Sequence, residues 1–227
     1  YFKDLSIGLG VKQFYKIGVS QTNPEIITGG SQDNGTSVYN DLGNWAYAMA
    51  LDNISVTTLG EATVQTEVNT STNTNLFLLN GQGTMYAYDS ITGGIMSSLT
   101  NNNNDNYECS SVQVSTSGTG GMFFNGSSGS DLAMEKTYNI GVTTDNANGD
   151  VTVTFYFTEA EIAGWENAVS AAGGSYTRDL LYLNRKPRNG LQEIVPTTVG
   201  SYNGEVTLTA NLTSLNGDYT FAPLKVL

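Results

Sequence analysis

Histidine is absent from the 227 residues, cysteine occurs once, proline four times, and Lys and Arg number 9 against 21 Asp and Glu. Without an imidazole there is no Ser-His or Cys-His nucleophile, no zinc-histidine centre and no haem-histidine ligation. The lone Cys109 forbids an intrachain disulfide, so stability must come from the core. With no basic neighbour to lower its pKa, Cys109 reads as a buried, inert thiol. The formal charge of −12 and pI near 4.1 repel phosphate backbones and anionic headgroups, because nucleic-acid affinity rests on counterion release by Lys and Arg. Nucleic acid is therefore excluded as a partner. No apolar run approaches the roughly 20 residues needed to cross a bilayer, and the first residues lack the basic and apolar regions of a signal peptide. The chain starts without Met and reads as a processed or excised portion of a longer exported protein.

What remains is rich in Gly, Ser, Thr and Asn, with 13% charged and 10% aromatic residues, the profile of a turn-rich β protein. Period-two alternation predicts strands at 13–20, 25–28, 36–39, 54–59, 63–68, 75–79, 85–89, 95–99, 111–115, 136–142, 151–157, 180–184, 193–199, 205–210 and 218–223. Short strands at even spacing predict an all-β sandwich or propeller. In Val151 to Phe157 the residues Val151, Val153, Phe155 and Phe157 share one face, as expected of a central strand. Only one segment has helical grammar: Thr158 as N-cap and Glu161 three residues later form a capping box, followed by Ile162, Trp165 and Val169 at helical spacing and by Gly173-Gly174 as a stop.

Trp165 and Trp45 are candidates for stacking on a glycan, although Trp165 within a short apolar stripe reads better as an anchor for its helix. Two polar tracts, 101–106 and 145–150, invite reading as cation sites. The second lacks oxygen-bearing side chains at Ala147 and Gly149, so both read as solvated hairpin loops and no metal or cofactor is expected. A glycosidase would need two carboxylates about 5 to 10 Å apart across a cleft. Glu159 with Glu161, or Asp145 with Asp150, are the available pairs, but the capping box already explains Glu161 and a turn explains the aspartates. The chain reads as a non-enzyme.

Residues 13–20, Asn23-Pro24, the stretch 29–37 and Asn44-Trp45 resemble the tail of a sortilin/sialidase-type β-propeller. Within them Ser31-x-Asp33-x-Gly35-x-Ser37 follows the Asp-box spacing, a turn in which the carboxylate accepts backbone N–H groups. A stronger resemblance covers roughly 75–227. The runs 94–101, 106–114, 136–140 and 155–166 look like the β-sandwich module near the C-terminus of large secreted Bacteroidetes proteins exported by the type IX secretion system, and 219–227 resembles the linker before their sorting domain. That resemblance implies an N-terminal propeller-blade-like segment over 1–50 and a jelly-roll-like sandwich over 51–227, clearest over 75–227. It also implies an extracellular or cell-surface location and a non-catalytic accessory, structural or adhesive role. The implied partners are other domains of the same large protein, the outer-membrane secretion translocon with its shuttle components, and polysaccharide. A carbohydrate-binding module of a secreted glycan-degrading or proteolytic protein is the alternative. Asp89-Ser90-Ile91 matches the pattern such bacteria use for O-glycosylation, making Ser90 a modification candidate.

Overall fold

The computed structural model describes the backbone of four strands between residues 14 and 48, and residues 62–70, 75–187 and 192–227. Contacts divide the chain into two units, Tyr1–Thr57 and Thr58–Leu227. In the first, β1 (Phe14–Val19), β2 (Ile27–Ser31), β3 (Gly35–Tyr39) and β4 (Trp45–Ala48) form an open antiparallel sheet in sequential order. The predicted strand at 54–59 lies outside the described residues.

The second unit contains β5 (Asn75–Asn80), β6 (Gly83–Tyr88), β7 (Ile95–Asn101), β8 (Asn106–Thr116), β9 (Gly121–Met122), β10 (Ala133–Met134), β11 (Thr137–Val142) and β12 (Val151–Phe157). Helix α1 (Glu159–Ala171) follows, then β13 (Leu181–Lys186), β14 (Glu193–Pro196), β15 (Thr198–Tyr202), β16 (Glu205–Leu212) and β17 (Gly217–Pro223). Two antiparallel sheets face each other, one ordered β14-β13-β17-β11-β8-β5 and the other β15-β16-β12-β7-β6. The architecture is an all-β sandwich with a single α-helix among the described residues. Alternation explains the core: Val151, Val153, Phe155 and Phe157 of β12 are all buried. Phe155 meets Tyr138 of β11 at 5.0 Å and Tyr219 and Phe221 of β17 at 5.3 and 5.1 Å between ring centres, so aromatic contacts join the two sheets. Each such ring removed from water contributes about 1.5–3 kcal/mol.

Helix α1 begins as its sequence requires. The Thr158 hydroxyl accepts from Glu161 N–H at 3.2 Å, and the Glu161 carboxylate accepts from Thr158 N–H at 2.8 Å. Ile162, Trp165 and Val169 form its buried stripe, and Gly173, at φ 85°, takes the left-handed turn that ends it. Gly164 allows close approach to the loop before β9, because a Cβ there would lie 1.8 Å from the Thr119 carbonyl oxygen.

Several expectations are corrected. The single strand over 193–199 is two strands in different sheets, parted at Thr197, whose hydroxyl donates to Leu181 O at 2.6 Å. Pro196 has no N–H to extend the first pairing. The segment over 63–68 makes only an isolated parallel bridge, Val64 with Ile95. Strands β9 and β10 were not anticipated, being too short to show a period. Cys109 is exposed, not buried. Glu108 has φ 58°, a bulge that leaves two consecutive residues, Glu108 and Cys109, pointing outward between buried Tyr107 and Ser110.

Candidate functional site

The feature of this sandwich that demands a chemical explanation is a buried cation. Period-two alternation along β11 puts Lys136, just before the strand, on the inward face with Tyr138 and Ile140. Its side chain is fully buried. The ammonium donates to Glu161 Oε2 at 3.0 Å, to the Tyr156 carbonyl at 3.0 Å and to the Gln65 carbonyl at 2.5 Å. It also lies 5.3 Å from the centre of the Phe157 ring and 5.6 Å from that of Tyr138. Burial lowers the Lys136 pKa, and the opposing pull of the Glu161 charge does not cancel that effect. One ammonium thus joins the helix start, the end of β12 and the strap formed by residues 62–70.

The strap crosses from one sheet to the other. Gln65 N–H donates to Ile95 O at 2.9 Å and Ile95 N–H to Thr63 O at 2.8 Å, whereas Asn69 N–H donates to Val114 O at 3.1 Å and Asn69 Oδ1 accepts from Val114 N–H at 2.7 Å. Ala62 and Val64 pack with Ile95 and Tyr156 against Tyr86, Tyr88 and Tyr202, covering part of the outer face of the five-stranded sheet. Beside the strap runs a groove of ≈ 450 Å³ between α1, Glu205 of β16 and the loop at Ser117, Gly118 and Thr119.

Three carboxylates border this groove, and each is engaged. Glu161 holds Lys136 and its cap. Glu205 accepts from Glu159 N–H at 2.5 Å, at the positive end of the helix dipole. Glu159 takes a bidentate contact from Arg178, at 2.7 Å on each oxygen, and the same guanidinium bonds Glu166 at 2.8 Å. Hydrogen bonds from Arg178 hold the carboxyls of Glu159 and Glu166 below the usual range and raise the guanidinium further. The pair Glu159 and Glu161, two positions apart in the sequence, is therefore divided between two cations with separate structural tasks.

Beyond the opposite end of β11 the two polar tracts do come together. Asn102 N–H donates to Asp150 O at 2.9 Å and its side-chain amide to Asp150 Oδ1 at 3.0 Å. Asp145 clamps the loop after β16, accepting from Ser214 Oγ at 2.7 Å and from Leu215 N–H at 2.9 Å. Burial, with Asp105, Asp145 and Asp150 nearby, pushes the buried Tyr107 hydroxyl up to about 12. Among the described residues no cluster of three or more Cys, Asp or Glu side chains with metal-ligand geometry occurs. No helix of the described residues is long and apolar enough to cross a membrane.

The remaining sequence candidates fall as follows. Trp165 is fully buried, with its indole N–H donating to Leu132 O at 3.0 Å, so it presents no face to a glycan. Trp45 opens β4 opposite Tyr39. Ser31 pairs with Gly35, and Ser37 with Gly29, across the β2–β3 hairpin; Asp33, between these strands, lies outside the described residues. Ser90 is exposed at a turn built by Asp89, whose Oδ1 accepts from Ile91 N–H at 3.0 Å and Thr92 N–H at 2.8 Å. Sequence reasoning missed Lys136 and Arg185. Lys136 continues the inward phase of β11 by one step before the strand and Arg185 holds an inward position of β13, and that phase was the available signal.

Away from the strap, the outer face of the five-stranded sheet is lined by rows of hydroxyls and amides. Thr84, Thr100, Thr152 and Asn211 stand in one cross-strand register, linked by Thr84–Thr100 at 2.8 Å and Thr152–Asn211 at 2.8 Å. Ser98, Thr154, Thr209 and Thr198 stand in a second, with Thr154–Thr209 at 2.9 Å.

A scan of family models, a search of curated proteins and a search of solved structures each returned no match.

Proposed function

We propose that the chain is a non-catalytic accessory portion, structural or adhesive, of a secreted or cell-surface multidomain protein that is cargo of the type IX secretion system. The observation that carries this reading is the commitment of the groove's charges: Glu159, Glu161 and Glu205 each hold a structural partner. A general acid or base must instead be free to exchange its proton with a substrate. The neutral hydroxyl rows offer a contact face without a reactive group. The sequence resemblance over 75–227 supplies the secretion context, and the translocon, neighbouring domains of the same protein and polysaccharide are the partners it suggests. The sequential four-stranded sheet of the first unit suits a propeller-type blade with its Asp-box at Ser31 to Ser37. Exposure of Ser90 suits O-glycosylation.

The chain should be placed between a reporter and a type IX sorting domain in a bacterium that has the pathway. The expected result is a folded fusion at the cell surface that releases no product from peptide or polysaccharide panels. Retention inside the envelope overturns the secretion assignment, and measurable turnover overturns the non-catalytic one.

A further inference from the structure

We propose that β5 is a homodimer interface, pairing edge to edge with β5 of a second copy of this chain about a two-fold axis at Phe77. The described sandwich has four sheet edges: β5, β14, β6 and β15. Open edges invite strand addition, and proteins normally blunt them with proline, charge or a cover. Strand β14 carries Pro196 and a Glu193 bound to Arg185 at 2.9 Å. At the end of β15, Tyr202 donates its hydroxyl to Ala62 O of the strap at 3.2 Å. Strand β6 sets Thr84 against Thr100 and turns its tyrosines toward the strap cluster.

Strand β5, Asn-Leu-Phe-Leu-Leu-Asn, has no charge and no proline. Its outward residues Leu76 and Leu78 are 73% and 58% exposed, while Leu79 is buried. An alternating apolar row along a backbone edge with no further strand partner among the described residues is the chemistry of a strand-pairing surface.

A second copy fits for two reasons. A two-fold axis normal to the sheet at Phe77 sets Leu76 opposite the partner's Leu78 and Leu78 opposite the partner's Leu76, so one register gives both exposed leucines an apolar cross-strand neighbour. The pairing keeps inward residues inward, because opposed residues of an antiparallel pair share a face. Charge gives the second reason: copies of a −12 chain repel over most of their surfaces, and an uncharged edge is where they can approach. The two six-stranded sheets would then run on as one.

Cys109, exposed and opposite Leu78 in the β5–β8 register, provides the gauge. Three strand spacings of about 4.8 Å and an offset of two residues along the strand put the two Cys109 backbones about 16 Å apart. The experiment is sedimentation equilibrium over a concentration series, with spin-label distance measurement on Cys109, for the native chain and for Leu78→Lys. The expected result is a dimer with an inter-label distance near that value, both lost in Leu78→Lys while its circular dichroism stays that of the folded chain and its Tm matches that of the native chain diluted to monomer. A monomer throughout the series overturns the proposal, as does a dimer that Leu78→Lys leaves intact. A monomer whose Leu76 to Leu78 amides resist hydrogen exchange also overturns it, and shows that another segment of the chain covers the edge.

Discussion

The two ends of β11 hold buried charge in different ways. At the helix end Lys136 is sealed from water with a single carboxylate, two carbonyls and two aromatic rings. At the loop end Arg185 bonds a partly exposed Glu193, Ser214 Oγ at 3.0 Å and Asn216 O at 2.9 Å, and Ser214 passes the contact on to Asp145. Lysine concentrates its charge on one donor group and suits a sealed pocket. Arginine spreads five donors in a plane and suits a loop with several acceptors near water. The helix end therefore depends on one pair, and the loop end on a network that shares its losses.

Alkaline pH breaks both ends together. Burial raises the hydroxyl pKa of Tyr138 at the helix end and of Tyr219 at the loop end well above the ordinary 10.0, and that of Tyr107 to about 12. A folded-state pKa above the unfolded one stabilises the fold fully below pH about 10 and loses that stabilisation as pH rises through the folded value. Tyrosinate absorbance should thus appear for these residues only as near-ultraviolet circular dichroism collapses. Ionisation in a chain still folded would contradict this.

Lys136→Met should separate the two ends most sharply. It leaves the Glu161 carboxylate buried without its cation, at a cost of about 3–5 kcal/mol in urea unfolding, and the double variant with Glu161→Gln should recover much of the loss. Arg185→Met should cost less, about 2 kcal/mol, because Glu193 can turn to water. Equal costs would show that the network shares nothing.

The smallest effect is expected at the half-exposed Arg178 cluster. Arg178→Gln should lower stability by roughly half a kcal/mol, less at high salt. The depressed pKa values of Glu159 and Glu166 contribute stability above the ordinary value of 4.5, lost as pH falls through the lowered ones. The variant's stability should therefore decline less between neutral and acid pH than that of the parent chain, as thermal melts across that range would register.

Much of the sandwich was readable from local pattern. Val151 to Phe157 alternates cleanly because one face is buried along its whole length, and the capping box of Thr158 with Glu161 is complete within four residues. Where legibility failed, the cause lay outside the local window. The bulge at Glu108 shifts the phase of β8 against its partner β5, which exposed Cys109. The change of sheet at Thr197 depends on two partners far apart in the chain.

The candidate site divides in the same way. Sequence alone determined that histidine chemistry is absent, that no disulfide closes the chain, that the surface is acidic, and that one capped helix interrupts a β protein. All of these are properties of composition or of a few neighbouring residues. Only the tertiary structure decided that Glu161, already used by its helix cap, also holds Lys136, because the partners are 25 residues apart. It likewise decided that Trp165 faces the core and that Leu76 and Leu78 do not. Alternation separates the two faces of a strand, but which face is covered depends on what the rest of the chain lays over it.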